Sequence, residues 1–212
     1  MLVSQRLITV LMAGLVLGAG CSDSSLSILG SVIKQDQPEV VSGWHDPLQN
    51  VSERALKLTF GLYVTPDPAQ NPIDPPERFT GYHTALDFEV LPNESGQDVT
   101  VYAMCEGPII LSRVVDGYGG TLVQACEYDG EPVTVLYGHL DPTSLIATGD
   151  TPIAAGESLG WLGDGGTSET SFNRQHLHLG IHKGTEIVLT GYVQSAAELN
   201  NFIDPKIVLG YD

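Results

Sequence analysis

Between residues 98 and 137 the chain runs through short apolar, β-branched stretches separated by glycine- and aspartate-rich turns. Residues 98–105 and 107–115 come first, followed by the turn Gly117-Tyr118-Gly119-Gly120. Residues 121–126, an Asp129-Gly130 turn and residues 132–137 complete the series. Close, regular spacing of this kind favours neighbouring strands joined by hairpins, and the crossover helices that a parallel sheet needs have no counterpart here. The expected fold is therefore all-β, mostly antiparallel, with few short helices. The one helix expected is residues 194–200, which is short and has few apolar anchors. No repeat of fixed period stands out.

A second feature is chemical. The run Arg174-Gln175-His176-Leu177-His178-Leu179-Gly180-Ile181-His182 alternates apolar and polar residues, so His176 and His178 leave one face of a single strand. The chain has six histidines, and three of them are in this run. Of the others, His83 opens His83-Thr84-Ala85-Leu86-Asp87, His139 follows the apolar stretch ending Tyr137-Gly138, and His45 stands apart. In a fully extended strand His83 and Asp87 would lie about 13 Å apart, too far to share a small cation. If both are ligands the chain must bend, with a loop delivering His83 and a strand delivering Asp87. His182, four residues beyond His178, is too distant on the same strand to join directly, and His45 has no ligand-type neighbour.

The N-terminus reads as a leader. Arg6, an apolar run over residues 7–17 and Gly18-Ala19-Gly20-Cys21 form a charged region, a hydrophobic region and a small-residue cleavage site, and polar Ser22-Asp23 follows too soon for a comfortable membrane span. The cysteine resembles the bacterial lipoprotein processing site, which implies lipidation at Cys21; ordinary secretory cleavage is the alternative. Residues 1–20 are thus expected to be a signal peptide, 21–50 a tether, and 51–212 the domain. The expected location is the cell envelope, facing the periplasm or cell wall. In an exported protein Cys105 and Cys126 favour a disulfide, worth about 3 kcal/mol for a loop of this size; two buried free thiols are the other possibility. Residues 65–80 hold Pro66, Pro68, Pro72, Pro75 and Pro76, which exclude helix and central strand. A loop this long that ends just before His83 is placed to wall a site.

Charge narrows the partners. With 26 acidic and 9 basic residues the formal charge is -17, which repels nucleic acid phosphates and anionic headgroups.

His83, Asp87, His139, His176 and His178, in this order and each beside a strand-like run, resemble the lysostaphin or LytM-type zinc endopeptidases of bacterial peptidoglycan. The likeness extends over residues 79–184 and includes Asp87-Phe88, Val101-Tyr102-Ala103, Gly117-Tyr118-Gly119, Tyr137-Gly138-His139-Leu140, Leu159-Gly160-Trp161-Leu162-Gly163 and His176-Leu177-His178. It implies a two-layer catalytic domain, one zinc bound by His83, Asp87 and His178, and catalytic roles for His139 and His176. Substrates would be peptidoglycan peptides, with other cell-wall proteins as possible partners and the membrane met only through the lipid anchor. Two neutral imidazoles and a carboxylate leave tetrahedral zinc one open position, as catalysis requires. Ala85 replaces the usual glycine of the first motif, residues 164–175 are longer than usual and lack the customary Gly-Pro, and no tyrosine is assigned to the oxyanion. A catalytically silent module that binds the wall and regulates other hydrolases is the rival expectation.

Overall fold

A computed structural model describes residues 43–211. Its strands are β1 (Tyr63–Val64), β2 (Gly81–His83), β3 (Ala85–Glu89), β4 (Thr100–Tyr102), β5 (Ile109–Val115), β6 (Gly119–Tyr128), β7 (Glu131–Leu140), β8 (Ser158–Trp161), β9 (His176–Lys183), β10 (Tyr192–Val193) and β11 (Phe202–Ile203). Every strand pairing is antiparallel. This agrees with the all-β expectation.

The main sheet has six strands in the order β11-β9-β7-β6-β5, with β3 also paired to β9. One edge of β9 takes β7, while the other takes β3 over its first half and β11 at its end. A three-stranded sheet, β1-β2-β10, adjoins it in sequence, and the chain leaves that sheet for the main one at Thr84. A two-stranded β4-β8 ribbon completes the β structure.

Alternation decides which face is buried. On β9 Leu177, Leu179 and Ile181 enter the core, and on β3 Leu86 and Phe88 do the same. They meet Val101 and Leu159 of the β4-β8 ribbon together with Leu48 and Val51, which supplies the second layer. Full burial of each such aliphatic side chain contributes about 1.5–3 kcal/mol. The residues between them, His176, His178 and Asp87, are thereby turned to the opposite face.

Three local departures from the sequence reading have physical causes. Residues 43–50, assigned to the tether, pack on the domain: Leu48 is buried, the His45 amide donates to the Met104 carbonyl at 2.7 Å, and the Tyr102 amide to the Pro47 carbonyl at 2.9 Å. The expected helix forms as a 3₁₀ turn at Ala196–Asn201, held by a Ser195/Glu198 capping box. An α-helix, α1 (Pro205–Leu209), was not anticipated, although Asp204 at its N-cap, Pro205 in its first turn and Gly210 at its end are ordinary boundary signals. Cys105 and Cys126 form a disulfide with Cα atoms 6.0 Å apart. The leader and Cys21 lie outside the described residues. Among the described residues no helix is long and apolar enough to cross a membrane.

Candidate metal centre and its groove

Asp87 and His178 are direct cross-strand partners of β3 and β9, and Gly138 of β7 faces His178 from the other side. His83 arrives from the small sheet, where it pairs with Tyr192. It sits at the end of a short strand rather than in a loop. The bend at Thr84 brings His83 Nε2 to 3.3 Å from Asp87 Oδ1.

His178 Nδ1 lies 3.1 Å from the same oxygen and 3.2 Å from His83 Nε2. These three residues are the group among the described residues able to hold a metal ion. A tetrahedral zinc with ligand bonds of about 2.0–2.1 Å has donor atoms about 3.3–3.4 Å apart, so the triangle has a suitable size. The hydroxyl of Tyr118 is 3.3 Å from His178 Nε2. If His178 donates there, its Nδ1 is left with a bare lone pair. Lone pairs then converge with a carboxylate oxygen, an arrangement that a cation satisfies.

All five residues are 4% exposed or less. Burial pushes His178 down to about 4, only partly offset by Asp87. Burial also drives His139 well below the usual histidine range, assisted by the charges of His176 and His178. Both imidazoles are neutral at pH 7. For Asp87 burial acts upward, but the neighbouring imidazoles of His176, His83 and His178 outweigh it and hold the carboxyl well below the normal range.

His139 and His176 stand side by side, with ring centroids 4.4 Å apart. His176 Nδ1 is 2.9 Å from the Arg174 carbonyl and donates to it, which leaves Nε2 as the ring nitrogen facing the site, 3.3 Å from Asp87 Oδ2. His139 is the extra residue of a β-bulge, where Gly120 pairs with Leu140 but Thr121 with Gly138. Its φ of 65° re-aims the ring out of the strand's regular alternation. Its Nδ1 is buried without a hydrogen-bond partner.

Three residues went unassigned in the sequence. Arg174 donates from Nη2 to Asp87 Oδ2 at 2.6 Å and from Nε to Glu89 Oε1 at 2.7 Å. Its spacing of two from His176 was the available signal. Tyr118, read only as part of a turn, is seated where Gly138 and Gly191 lack side chains: a Cβ on either would lie 2.6 Å from its ring or hydroxyl. Tyr192 packs its ring 5.3 Å from that of His83, and no local pattern marked it.

The groove above these groups is a cavity of about 340 Å³, walled in part by Phe79, Asp116, Tyr118 and Tyr192. Phe79 and Thr80 end the proline-rich loop, which does line the site, and Phe79 stacks on Tyr192 at 5.3 Å. A larger apolar cavity of about 620 Å³, walled in part by Phe60, Tyr128, Phe202 and Ile207, carries none of the five site residues. His182 packs against Phe202 instead of joining the cluster, and His45 is exposed.

The profile of peptidase family M23 matches residues 81–189, just over half of the chain. The chain belongs to this family. Its fold is similar to that of the catalytic domain of lysostaphin, an antimicrobial peptidase from Staphylococcus simulans, with a TM-score of 0.51, 19% identity and coverage of 78% of this chain and 98% of that one. Lysostaphin itself, from the same organism, matches with a TM-score of 0.50, 20% identity and coverage of 80% and 55%. A chain of the SpoIIQ–SpoIIIAH pore-forming complex matches with a TM-score of 0.50, 12% identity and coverage of 78% and 90%. No curated protein matches the chain.

Proposed function

We propose that this protein is a zinc-dependent endopeptidase that cleaves peptide bonds in the stems or cross-links of bacterial peptidoglycan. The observation that carries the reading is the convergence of His83 Nε2, Asp87 Oδ1 and His178 Nδ1 within 3.1–3.3 Å, in a groove with two further histidines. Membership of a peptidase family and the lysostaphin-like fold support it. In this reading the three residues hold one zinc ion, which supplies a Lewis acid that polarises the scissile carbonyl and brings the pKa of water towards about 7.

The chain's own groups do the rest. His176, its proton kept on Nδ1 by the Arg174 carbonyl, offers Nε2 as the general base. The proton that His176 takes from the water is then handed on to the leaving amine through His139, whose ring lies beside it with centroids 4.4 Å apart. Tyr118 keeps His178 in the tautomer that frees Nδ1. In this reading the peptide lies in the groove walled by Phe79 and Tyr118. The leader-like N-terminus supports export and anchoring through Cys21, with wall peptides and other wall proteins as neighbours.

Zinc content and hydrolysis of purified peptidoglycan, measured together on the parent protein and His176→Ala, test this. The parent should carry about one zinc and release new amines, and the variant should keep its zinc while losing about 100-fold or more of the activity. A zinc-loaded parent that leaves walls intact would overturn the enzyme reading in favour of a wall-binding regulatory module.

A further inference from the structure

Beside the metal groove lies a second, smaller cavity of about 260 Å³ whose charge is opposite to that of the molecule as a whole. Its wall includes Lys57, Arg78 and Arg174, which are three of the nine basic residues in a chain of net charge -17. Asn173 lines both cavities, and Arg78 is followed directly by Phe79 of the groove wall. The two spaces therefore adjoin.

The three cations are not equally available. Arg174 is committed to Asp87 and Glu89, with Glu77 at 3.6 Å. Arg78 spends one donor on the Ser171 carbonyl at 3.0 Å and rests over the Phe79 ring at 5.1 Å, which leaves most of its guanidinium donors unused. Lys57, half-buried at the cavity wall, has no hydrogen-bond or ion-pair partner among the described residues. Two positive groups thus face a small space bounded by Pro75, Pro76 and the exposed Phe172, and the one carboxylate in its wall, Glu77, is turned to Arg174 at 3.6 Å.

We infer that this cavity is a carboxylate subsite, in which Lys57 and Arg78 receive a free carboxylate of the peptide whose backbone lies in the metal groove. Elsewhere the acidic surface repels an anionic ligand, so a local pair of uncommitted cations sets where the carboxylate end of a peptide docks, and hence its direction through the groove. An ammonium-bearing end would be turned away from this side. The inference rests on the peptidase reading for the ligand being a peptide.

The test compares tri-alanine with tri-alanine amide, which differ only in the terminal carboxylate, by NMR-detected titration of the zinc-loaded protein at low salt. The acid should bind about 5-fold tighter than the amide, as expected for two partly exposed ion pairs, and the preference should shrink as salt is raised. Lys57→Gln combined with Arg78→Gln should abolish the preference, while Arg113→Gln, an exposed cation on β5, should retain it. Equal binding of the two peptides, no binding of either, or a preference that survives the double variant would overturn the subsite. Failure of the peptidase reading is separable: a zinc-loaded protein that prefers the acid but leaves peptidoglycan intact sinks that reading and keeps the subsite.

Discussion

Asp87 and His178 are register partners on β3 and β9, and their Oδ1 and Nδ1 atoms stand 3.1 Å apart with no side chain between them. Because β9 carries its core residues at alternate positions, the pairing that buries Leu177 and Leu179 also fixes where these two donors meet. Fold and site therefore share one register. Replacing Asp87 by Ala should weaken zinc binding by at least about 100-fold, beyond the roughly 10- to 100-fold typical of an outer partner. Competition with a chromogenic chelator measures this directly, and near-parental affinity would show that Asp87 is not a ligand.

Tyr118 makes a softer case. Its hydroxyl is the partner of His178 Nε2, and its ring is held by packing against Gly138 rather than by that contact. Tyr118→Phe should leave the fold intact and lower zinc affinity about 10-fold, because the tautomer of His178 is no longer fixed. The same chelator competition, paired with a thermal melt, separates the two effects.

How much of this was legible before the structure depends on the range of the interaction responsible. The alternation on β9 lies within eight consecutive residues, so the shared face of His176 and His178 could be read from the sequence. The need for a bend between His83 and Asp87 followed from chain geometry alone. The bulge that aims His139 could not be read, since it exists only in the pairing of β7 with β6. The seat of Tyr118 depends on two glycines, at 138 and 191, that are distant from each other in sequence. Residues 43–50 looked like a tether because the contacts that dock them, such as those of His45 with Met104 and of Pro47 with Tyr102, are long-range.

In the zinc-free protein the depressed pKa of His178 predicts a pH-dependent stability. In the unfolded chain the imidazole takes up a proton near its usual 6.5, whereas in the folded protein it does so only near 4. Between these values the unfolded state binds more protons, so stability rises with pH and is lost as pH falls from about 6.5 towards 4. His139, also depressed by burial, acts in the same direction. Urea unfolding of the zinc-free protein should show a lower midpoint at pH 5 than at pH 7, and an unchanged midpoint would contradict the burial argument.

Arg174 is the remaining charge beside the candidate ligands. Its side chain is 20% exposed, and it separates Asp87 from Glu89, two carboxylates on the same face of β3. Replacing it by Gln leaves both without their cation, and breaking a largely buried pair in this way costs about 3 kcal/mol. That loss should appear in full in the zinc-free protein. With zinc bound, Asp87 has a second source of positive charge, so the difference between parent and Arg174→Gln should narrow. Urea unfolding of both proteins with and without zinc measures the four stabilities that this requires. An equal loss in the two states would mean that Arg174 acts only by packing and by its contact with Glu89, and that its hydrogen bond to Asp87 carries no electrostatic weight.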